Sequence, residues 1–237
     1  MIRRLRIAHT SDVHLHDGED GAHVRAAFTR VIDAVLETRA ELFLIAGDLY
    51  DDNRVGRKLI DFVHAQLARV ACPTVLIAGN HDCWEERSVL KRMDLRAAGA
   101  HVTLLDQADG RQIEIPEIHA TVWGRCMVDH CREYQPMAGA PARTRDLWHI
   151  GMAHGLYSAD PDSDRSSLIR PHEIETSGFD YLALGHVHAH RQMRHGTTLA
   201  CYPGVPASYY AGDGNGCMTI VDLVPGRRAR ALAHRIS

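Results

Sequence analysis

The first half of the chain alternates short apolar runs with longer segments of helical periodicity. The apolar runs are Leu5–His9, Leu42–Ala46 and Thr74–Ala78. Their length and continuous apolar character are typical of strands, and the second and third predict strands buried on both faces. The segments that follow them carry apolar side chains at helical spacing and span residues 22–38, 55–70 and 85–98. This alternation predicts an α/β fold.

After Gly99 the pattern changes to short strands separated by turn residues. The predicted strands are Val102–Leu105, Arg111–Ile115, Ala120–Trp123, Leu147–Ala153, Tyr181–Leu184, Thr198–Cys201 and Met218–Leu223. Two segments without periodicity, Cys126–Arg145 and Tyr157–Ser167, are predicted to be surface loops. Four arginines in or beside the first of these segments either contact a substrate phosphate or form a solvated basic surface, and we favour the solvated surface. They are Arg125, Arg132, Arg143 and Arg145. No composition shift marks a boundary, so residues 1–237 are predicted to form a single domain without a separate capping domain.

The composition narrows the class of protein. Hydrophobic residues make up 45% of the 237 residues, which is ample for a packed core. The net charge is −3, so no overall basic field attracts nucleic acid. The sequence has no signal-peptide core, no run of about 20 apolar residues and no CxxC pair among its six cysteines. These features predict a cytoplasmic protein with reduced thiols and no membrane association.

Five short polar motifs occur in order along the chain, and most follow a predicted strand directly. They read Asp12-Val13-His14, Gly47-Asp48-Leu49-Tyr50-Asp51, Gly79-Asn80-His81-Asp82, His154-Gly155 and Gly185-His186-Val187-His188. Open α/β sheets place their ligand sites at such strand ends. The candidate metal ligands are Asp12, His14, Asp48, Asn80, His154, His186 and His188. Oxygen and imidazole donors without cysteine suit divalent manganese, iron or zinc better than a structural thiolate zinc site.

The spacing within the motifs supports convergence on metal ions. Asp12 and His14 are two residues apart, so both side chains are able to face one ion from a strand end or the loop after it. A single carboxylate such as Asp48 is able to bridge two cations about 3.5–4 Å apart. Gly47 before it permits close backbone approach.

Taken together, the five motifs resemble those of calcineurin-like metallophosphoesterases, over residues 12–188. The resemblance implies a four-layer α/β sandwich in which two mixed β-sheets are flanked by helices. It also implies two ions, one held by Asp12, His14, Asp48 and His188, the other by Asp48, Asn80, His154 and His186. His81 is then a proton donor or transition-state donor beside the phosphate, with Asp82 orienting its imidazole.

The reaction that this resemblance implies is hydrolysis of a phosphodiester by a metal-activated hydroxide. Manganese is the expected metal, and iron, zinc, nickel or cobalt also suit the donor set. A phosphate ester is the expected substrate, either DNA or a small nucleotide or phosphodiester.

A finer resemblance is to SbcD-type DNA repair exonucleases. It rests on His9-Thr10-Ser11-Asp12-Val13-His14-Leu15 and on the turn Tyr202-Pro203-Gly204. Tyr209 and Tyr210 after this turn are expected to pack on the sheet rim. Two departures weaken the resemblance: Asp51 stands where several such nucleases have a histidine, and the sequence lacks their capping and ATPase-binding segments. An ATPase partner is therefore less expected than usual.

Two other functions stay open at this point. One is hydrolysis of small phosphates, namely nucleotides, cyclic nucleotides, glycerophosphodiesters or monoesters, which suits a compact acidic domain. The other is a non-catalytic, metal-stabilised interaction module. That module is less favoured because none of the five motifs is broken.

Overall fold

The computed structural model describes residues 2–207 and 216–236. One six-stranded sheet has the strand order β14-β13-β1-β2-β3-β4. Its strands are β1 (Leu5–Thr10), β2 (Leu42–Ala46), β3 (Thr74–Ile77), β4 (Val102–Leu104), β13 (Cys217–Leu223) and β14 (Arg230–Arg235). The strands β1 to β4 are parallel, whereas β13 and β14 are antiparallel to their neighbours, so the sheet is mixed.

A second six-stranded sheet has the order β11-β12-β10-β7-β6-β5. Its strands are β5 (Arg111–Ile115), β6 (Ala120–Gly124), β7 (Trp148–His154), β10 (Tyr181–Gly185), β11 (His190–His195) and β12 (Thr198–Pro203). The four central strands are parallel and the two edge strands β5 and β11 are antiparallel to them. A small parallel pair, β8 (Leu156–Tyr157) and β9 (Leu168–Ile169), follows the end of β7.

Helices cover the outer faces of both sheets. On the first sheet lie α1 (Gly21–Glu37), α2 (Arg57–Leu67) and the short α3 (Val89–Arg92), and on the second lies α4 (Pro171–Ser177). Alternate side chains of β2 show the layering: Leu42 and Leu44 pack between the sheets, whereas Phe43 and Ile45 pack under the helices. This confirms the four-layer sandwich with two mixed sheets, and it explains the continuous apolar runs as strands buried on both faces.

The sequence pattern was wrong about residues 85–98, which do not form one helix. The segment instead contains α3 and a separate 3₁₀ turn, Leu95–Ala97. The side chains of Ser88 and Asp94 each accept a hydrogen bond from the amide two residues later and start a new turn, and Met93 between the two turns is extended. Local capping therefore overrides the apolar periodicity here.

Strands β11 and β14 and helix α4 were not predicted. No helix among the described residues is long and apolar enough to cross a membrane. Tyr209 and Tyr210, expected to pack on the sheet rim, lie outside the described residues.

Candidate metal centre

The five motifs meet at one end of the sandwich because parallel strands of both sheets end there. In the first sheet β1, β2 and β3 end just before Asp12, Asp48 and Asn80. In the second sheet β7 ends at His154 and β10 ends just before His186. The carboxyl ends of parallel strands form the usual binding edge of an α/β sheet. The fold therefore brings together side chains that are up to 176 residues apart in sequence, from Asp12 to His188.

One group of donors consists of Asp12, His14 and His188, whose donor atoms lie within 4.8 Å of one another. The Nε2 atoms of His14 and His188 are 3.2 Å apart, and His188 Nε2 lies 3.9 Å from Asp12 Oδ1. Asp12 is fully buried and His14 nearly so, while 40% of the His188 side chain is exposed. This group faces solvent on the His188 side.

A second group is centred on the Asn80 side-chain oxygen. That atom lies 3.1 Å from His154 Nε2 and 2.9 Å from His186 Nδ1. Asp48 lies between the two groups: its Oδ2 atom is 3.3 Å from His154 Nε2, and donor atoms of Asp12, Asp48 and His154 form a third close set. The structure thus brings all seven predicted ligands into one continuous cluster.

The hydrogen bonds of the imidazoles show which ring nitrogen faces inward. His154 Nδ1 donates to the Ala46 carbonyl at 2.8 Å, because a carbonyl oxygen only accepts, so Nε2 is left to face Asp48 and Asn80. His14 Nδ1 similarly lies 3.1 Å from Asp51 Oδ1, with Nε2 facing His188. Such outer partners are typical of metal-binding histidines.

The spacing of the inward atoms fits divalent cations. Nitrogen and oxygen ligands at about 2.0–2.2 Å from a metal lie roughly 3 Å from one another. The separations of 2.9, 3.1 and 3.2 Å between Asn80, His154, His186, His14 and His188 donor atoms match this spacing. The contact between His14 Nε2 and His188 Nε2 joins two ring nitrogens, and a cation between them would account for this approach.

Burial and neighbouring charges shift the pKa values of several side chains in the cluster. Burial alone would raise the pKa of Asp48, but His154, His14 and His81 hold it well below its usual range. Burial would lower the pKa of His154, but Asp48 and Asp12 raise it to about 10. For His186, burial and the nearby His154 lower the pKa to about 4. A cation that takes the place of the His154 proton would therefore release that proton to solvent.

Four of the seven side chains sit on a strained backbone. Asp12, His14 and Asp48 have φ of 53°, 53° and 51°, and His186 has φ of 101°, in the left-handed region that non-glycine residues rarely adopt. Such strain is of order 1–3 kcal/mol per residue and clusters at functional sites. Asp12 and His14 consequently converge from a loop after β1 and not as neighbours on a strand face.

Glycines beside the ligands permit the close approach. A Cβ atom at Gly47, which has φ of 89°, would lie 2.3 Å from His154 Nδ1. A Cβ atom at Gly79 would lie 2.2 Å from Asp48 Oδ1. Both positions therefore require glycine, as expected for Gly47 from the sequence.

His81 lies at the solvent side of the cluster, with 42% of its side chain exposed. Its ring packs edge-on against His14, with centroids 4.6 Å apart. Its Nδ1 donates to the backbone carbonyl of Asp51 at 2.8 Å, so this bond leaves the other ring nitrogen, Nε2, uncommitted. The Asp51 carboxylate lies 3.5 Å from the same nitrogen.

The prediction that Asp82 orients the His81 imidazole is wrong. Asp82 is fully buried, and its carboxylate accepts hydrogen bonds from the backbone amides of Gly79 at 2.7 Å, Leu49 at 2.8 Å and Asp48 at 3.2 Å. Burial and the charge of Asp48 raise the pKa of Asp82 to about 6. Asp82 fixes the loop that carries Asp48, and Asp51 contacts His81 instead. In the sequence, the contact of Asp51 with His81 was signalled by the place of Asp51 as the second aspartate of the motif Gly47–Asp51.

Cys83 and His9, which lie near the motifs, each have a hydrogen-bond partner within the protein. The Cys83 thiol donates to the Met127 carbonyl at 3.2 Å. His9 Nδ1 lies 2.8 Å from the Tyr181 hydroxyl between the sheets, and His190 lies in β11. Neither histidine belongs to the donor clusters among the described residues.

Sequence comparison identifies the family. Residues 5–190 match the model of the calcineurin-like phosphoesterase family. An uncharacterized metallophosphoesterase, YhaO, of Bacillus subtilis is 25% identical over 230 residues, which cover 86% of this chain and 53% of YhaO. The DNA double-strand break repair protein Mre11 of Methanopyrus kandleri is 27% identical over 237 residues, covering 85% of this chain and 49% of that protein. The chain thus spans about half the length of these relatives.

The fold is also found in solved structures. A dimetal phosphatase from Danio rerio superposes with a TM-score of 0.65 at 11% identity, covering 98% of this chain and 96% of that protein. The likeness at this identity concerns the fold. With the family match extending over most of the sequence and the donor cluster inside the matched region, the chain belongs to the calcineurin-like phosphoesterase family of metal-dependent phosphoester hydrolases.

Proposed function

We propose that this protein hydrolyses phosphodiester bonds at a centre for two divalent cations. One ion would be held by Asp12, His14, Asp48 and His188, and the other by Asp48, Asn80, His154 and His186. The observation that supports this is the continuous donor cluster with Asp48 between its two groups. Cations bound there would activate a water molecule as the nucleophile and would neutralise charge on the phosphate.

His81 is proposed to protonate the leaving oxygen. Its Nδ1 is committed to the Asp51 carbonyl, so its exposed Nε2 is the atom that would carry a proton to the substrate. Its backbone amide donates to Asp48 Oδ1 at 2.8 Å, which ties His81 to the same loop as the donor cluster. General acid assistance of this kind is worth about 10²–10⁴-fold in rate.

We favour a nuclease-like substrate preference, because one relative is Mre11 of M. kandleri. That relative is described as a DNA double-strand break repair protein. Hydrolysis of small phosphates is the second candidate, favoured by the net charge of −3. Manganese is proposed as the working metal and the cytoplasm as the location, since the donor set and the scattered cysteines suit both.

The test of the function is turnover of bis(p-nitrophenyl) phosphate by metal-depleted protein resupplied with Mn²⁺. Asp48→Ala and His188→Ala should abolish turnover, while His172→Ala, an exposed position on α4, should leave it unchanged. Absence of turnover with every divalent metal tried would favour the interaction module. Single-stranded DNA, duplex DNA and cyclic AMP compared under the same conditions separate the two substrate classes.

His81→Ala tests the proton donor separately. The variant should retain both metals, measured by elemental analysis, and lose about 10²–10⁴-fold in rate. An unchanged rate would remove His81 from the chemistry, and loss of metal would instead make it a ligand.

A further inference from the structure

A groove of about 600 Å³ opens beside the donor cluster, next to His186 and His188. The other side chains that line it are His130, Leu156, Arg165, Ser166 and Val187. We call it the loop groove, because His130 comes from the segment 126–145 and Arg165 and Ser166 come from the segment 157–167. These are the two irregular segments of the sequence.

The two loops are tied to each other at the groove. His130 Nε2 and Ser166 Oγ are 2.7 Å apart, and Arg132 forms an ion pair with Asp164 at 3.1 Å. Below them, the Leu156 amide donates to the Ser167 carbonyl at 2.9 Å, where β8 pairs with β9. These bonds join the two loops into one wall of the loop groove. In the sequence, this wall begins directly after His154.

The groove is continuous with the proposed metal centre. The His130 ring packs against the His186 ring with centroids 5.6 Å apart. If the scissile phosphate of a substrate lies at the donor cluster, the next chemical group of the substrate on this side would therefore lie in the loop groove.

Arg165 is the cation available to that group. Among residues 2–207 and 216–236, no hydrogen bond or ion pair engages its exposed guanidinium, and the neighbouring Asp164 is paired with Arg132. The other arginines in the first loop or directly before it are used within the protein. Arg125 donates to the carbonyls of Ala108 and Gln135, whereas Arg143 and Arg145 pair with Asp180 and Glu114.

The floor of the groove suits the rest of a nucleotide. Leu156 and Val187 are half-buried and present apolar surface beside the Arg165 guanidinium and the His130 imidazole. An imidazole has two ring nitrogens, so the bond to Ser166 leaves His130 a second hydrogen-bonding position. One cation, one imidazole and an apolar floor match a sugar-phosphate unit better than an unsubstituted small phosphate.

We infer that the loop groove binds a second phosphate that flanks the scissile one, with Arg165 as its main contact, so that the preferred substrate is an oligonucleotide. The inference rests on the phosphodiesterase function proposed above. An arginine–phosphate contact forms charge-assisted hydrogen bonds whose loss is worth about 10-fold or more in binding. Arg165 would thus determine specificity without touching the reacting atoms.

The test compares the dinucleotide TpT with its phosphorylated forms pTpT and TpTp, which place the second phosphate on either side. Wild-type protein with Mn²⁺ should have a kcat/KM at least about 10-fold higher for one phosphorylated form than for TpT. Arg165→Ala should remove this preference and change kcat/KM for bis(p-nitrophenyl) phosphate less than twofold. Arg165→Lys should retain part of it, because charge remains but the paired donors are lost.

Arg228→Ala is the matched control, since it removes one positive charge from the opposite end of the sandwich, near Arg4 before the start of β1. It should leave the preference intact. The inference is overturned if wild type does not distinguish the three dinucleotides, or if Arg165→Ala lowers turnover of all substrates equally. Either result, with bis(p-nitrophenyl) phosphate still hydrolysed, would leave the phosphodiesterase function standing. Absence of all metal-dependent hydrolysis would instead contradict that function.

Discussion

Asp82 lies directly behind Asp48 and holds its backbone in place. The Asp48 amide donates to Asp82 Oδ1 at 3.2 Å, and the next amide, that of Leu49, donates to Asp82 Oδ2 at 2.8 Å. Asp48 itself has φ of 51°, so these bonds stabilise a backbone conformation that is unfavourable for an aspartate. A buried carboxylate of one motif thus fixes the backbone of a candidate ligand in another motif.

Asp82→Ala should therefore destabilise the protein and loosen the metal centre. The substitution leaves the amides of Gly79, Asp48 and Leu49 without their acceptor, each at a cost of about 1–3 kcal/mol if water does not replace it. We expect the free energy of unfolding to fall by at least about 3 kcal/mol in urea denaturation, with weaker Mn²⁺ binding by calorimetry. Asp146→Ala, at an exposed carboxylate, should change stability by less than about 0.5 kcal/mol. Equal stability of the two variants would contradict the role of Asp82.

Much of the fold followed from local pattern because β2 and β3 are buried on both faces and leave continuous apolar runs. Two edge strands, β11 and β14, were missed for the converse reason. Strand β11 has one neighbour, and its sequence His190–His195 is mostly polar with no alternation. In β14 the largest apolar side chain, Leu232, is 71% exposed, so its pattern does not mark a buried face.

The candidate site was predictable as a set of residues but not as a geometry. The motifs named the seven donors, and strand ends explained their convergence. Spacing alone gave no sign that Asp12 and His14 converge through left-handed backbone. That conformation depends on contacts with the loop after β2, in which the His14 amide donates to the Asp48 carbonyl at 3.1 Å. The partner of His81 likewise depends on how two loops pack.

Asp51 is predicted to support metal binding through His14. Its carboxylate lies 3.1 Å from His14 Nδ1, whereas its backbone carbonyl accepts from His81 Nδ1. Asp51→Ala removes the carboxylate, which also lies 3.5 Å from His81 Nδ1, and keeps the carbonyl contact. We expect about 10-fold weaker metal binding, in the range seen when outer partners of metal-binding histidines are lost.

The matched comparison for Asp51 is Asp52→Ala, which removes a neighbouring carboxylate that pairs with Arg54. Metal affinity of this control should stay within twofold of wild type. With saturating Mn²⁺, Asp51→Ala should regain most of its turnover of bis(p-nitrophenyl) phosphate. If turnover stays low although metal content is full, Asp51 acts on His81 and not on His14.

His9 is predicted to make stability depend on pH. Burial and the nearby His190 lower the pKa of His9 to about 3, compared with 6.5 for an unperturbed histidine. Above pH 6.5 both the folded and unfolded forms are neutral, and His9 contributes no pH dependence. As the pH falls below 6.5, the unfolded chain takes up a proton that the folded protein excludes, so stability declines down to about pH 3.

Between pH 7 and pH 5 the His9 contribution to this decline is about 2 kcal/mol. His9→Gln should lack it, so the wild type should lose about 2 kcal/mol more than the variant when unfolding is measured at both values. His172→Gln, at an exposed position, should retain the wild-type slope. Parallel profiles for wild type and His9→Gln would show that His9 accepts a proton in the folded state.

Tyr202 connects the metal centre to the wall of the loop groove. Its buried hydroxyl donates to the Gly155 carbonyl and accepts from the Tyr157 amide, both at 2.7 Å. Gly155 follows His154 directly, and Tyr157 begins the segment that carries Arg165. Tyr202→Phe removes both bonds without a large change in volume and leaves a buried carbonyl unpaired, at a cost of about 1–3 kcal/mol.

The expected consequence is a free energy of unfolding lower by about 1–3 kcal/mol, together with faster hydrogen exchange of the Tyr157 amide. Tyr134→Phe is the matched control, because that tyrosine is also buried but its hydroxyl is 3.5 Å from the Arg125 carbonyl, too long for a strong bond. It should cost less than about 0.5 kcal/mol. If both variants lose the same stability, the loss comes from tyrosine packing, and the connection between His154 and the loop groove does not depend on the Tyr202 hydroxyl.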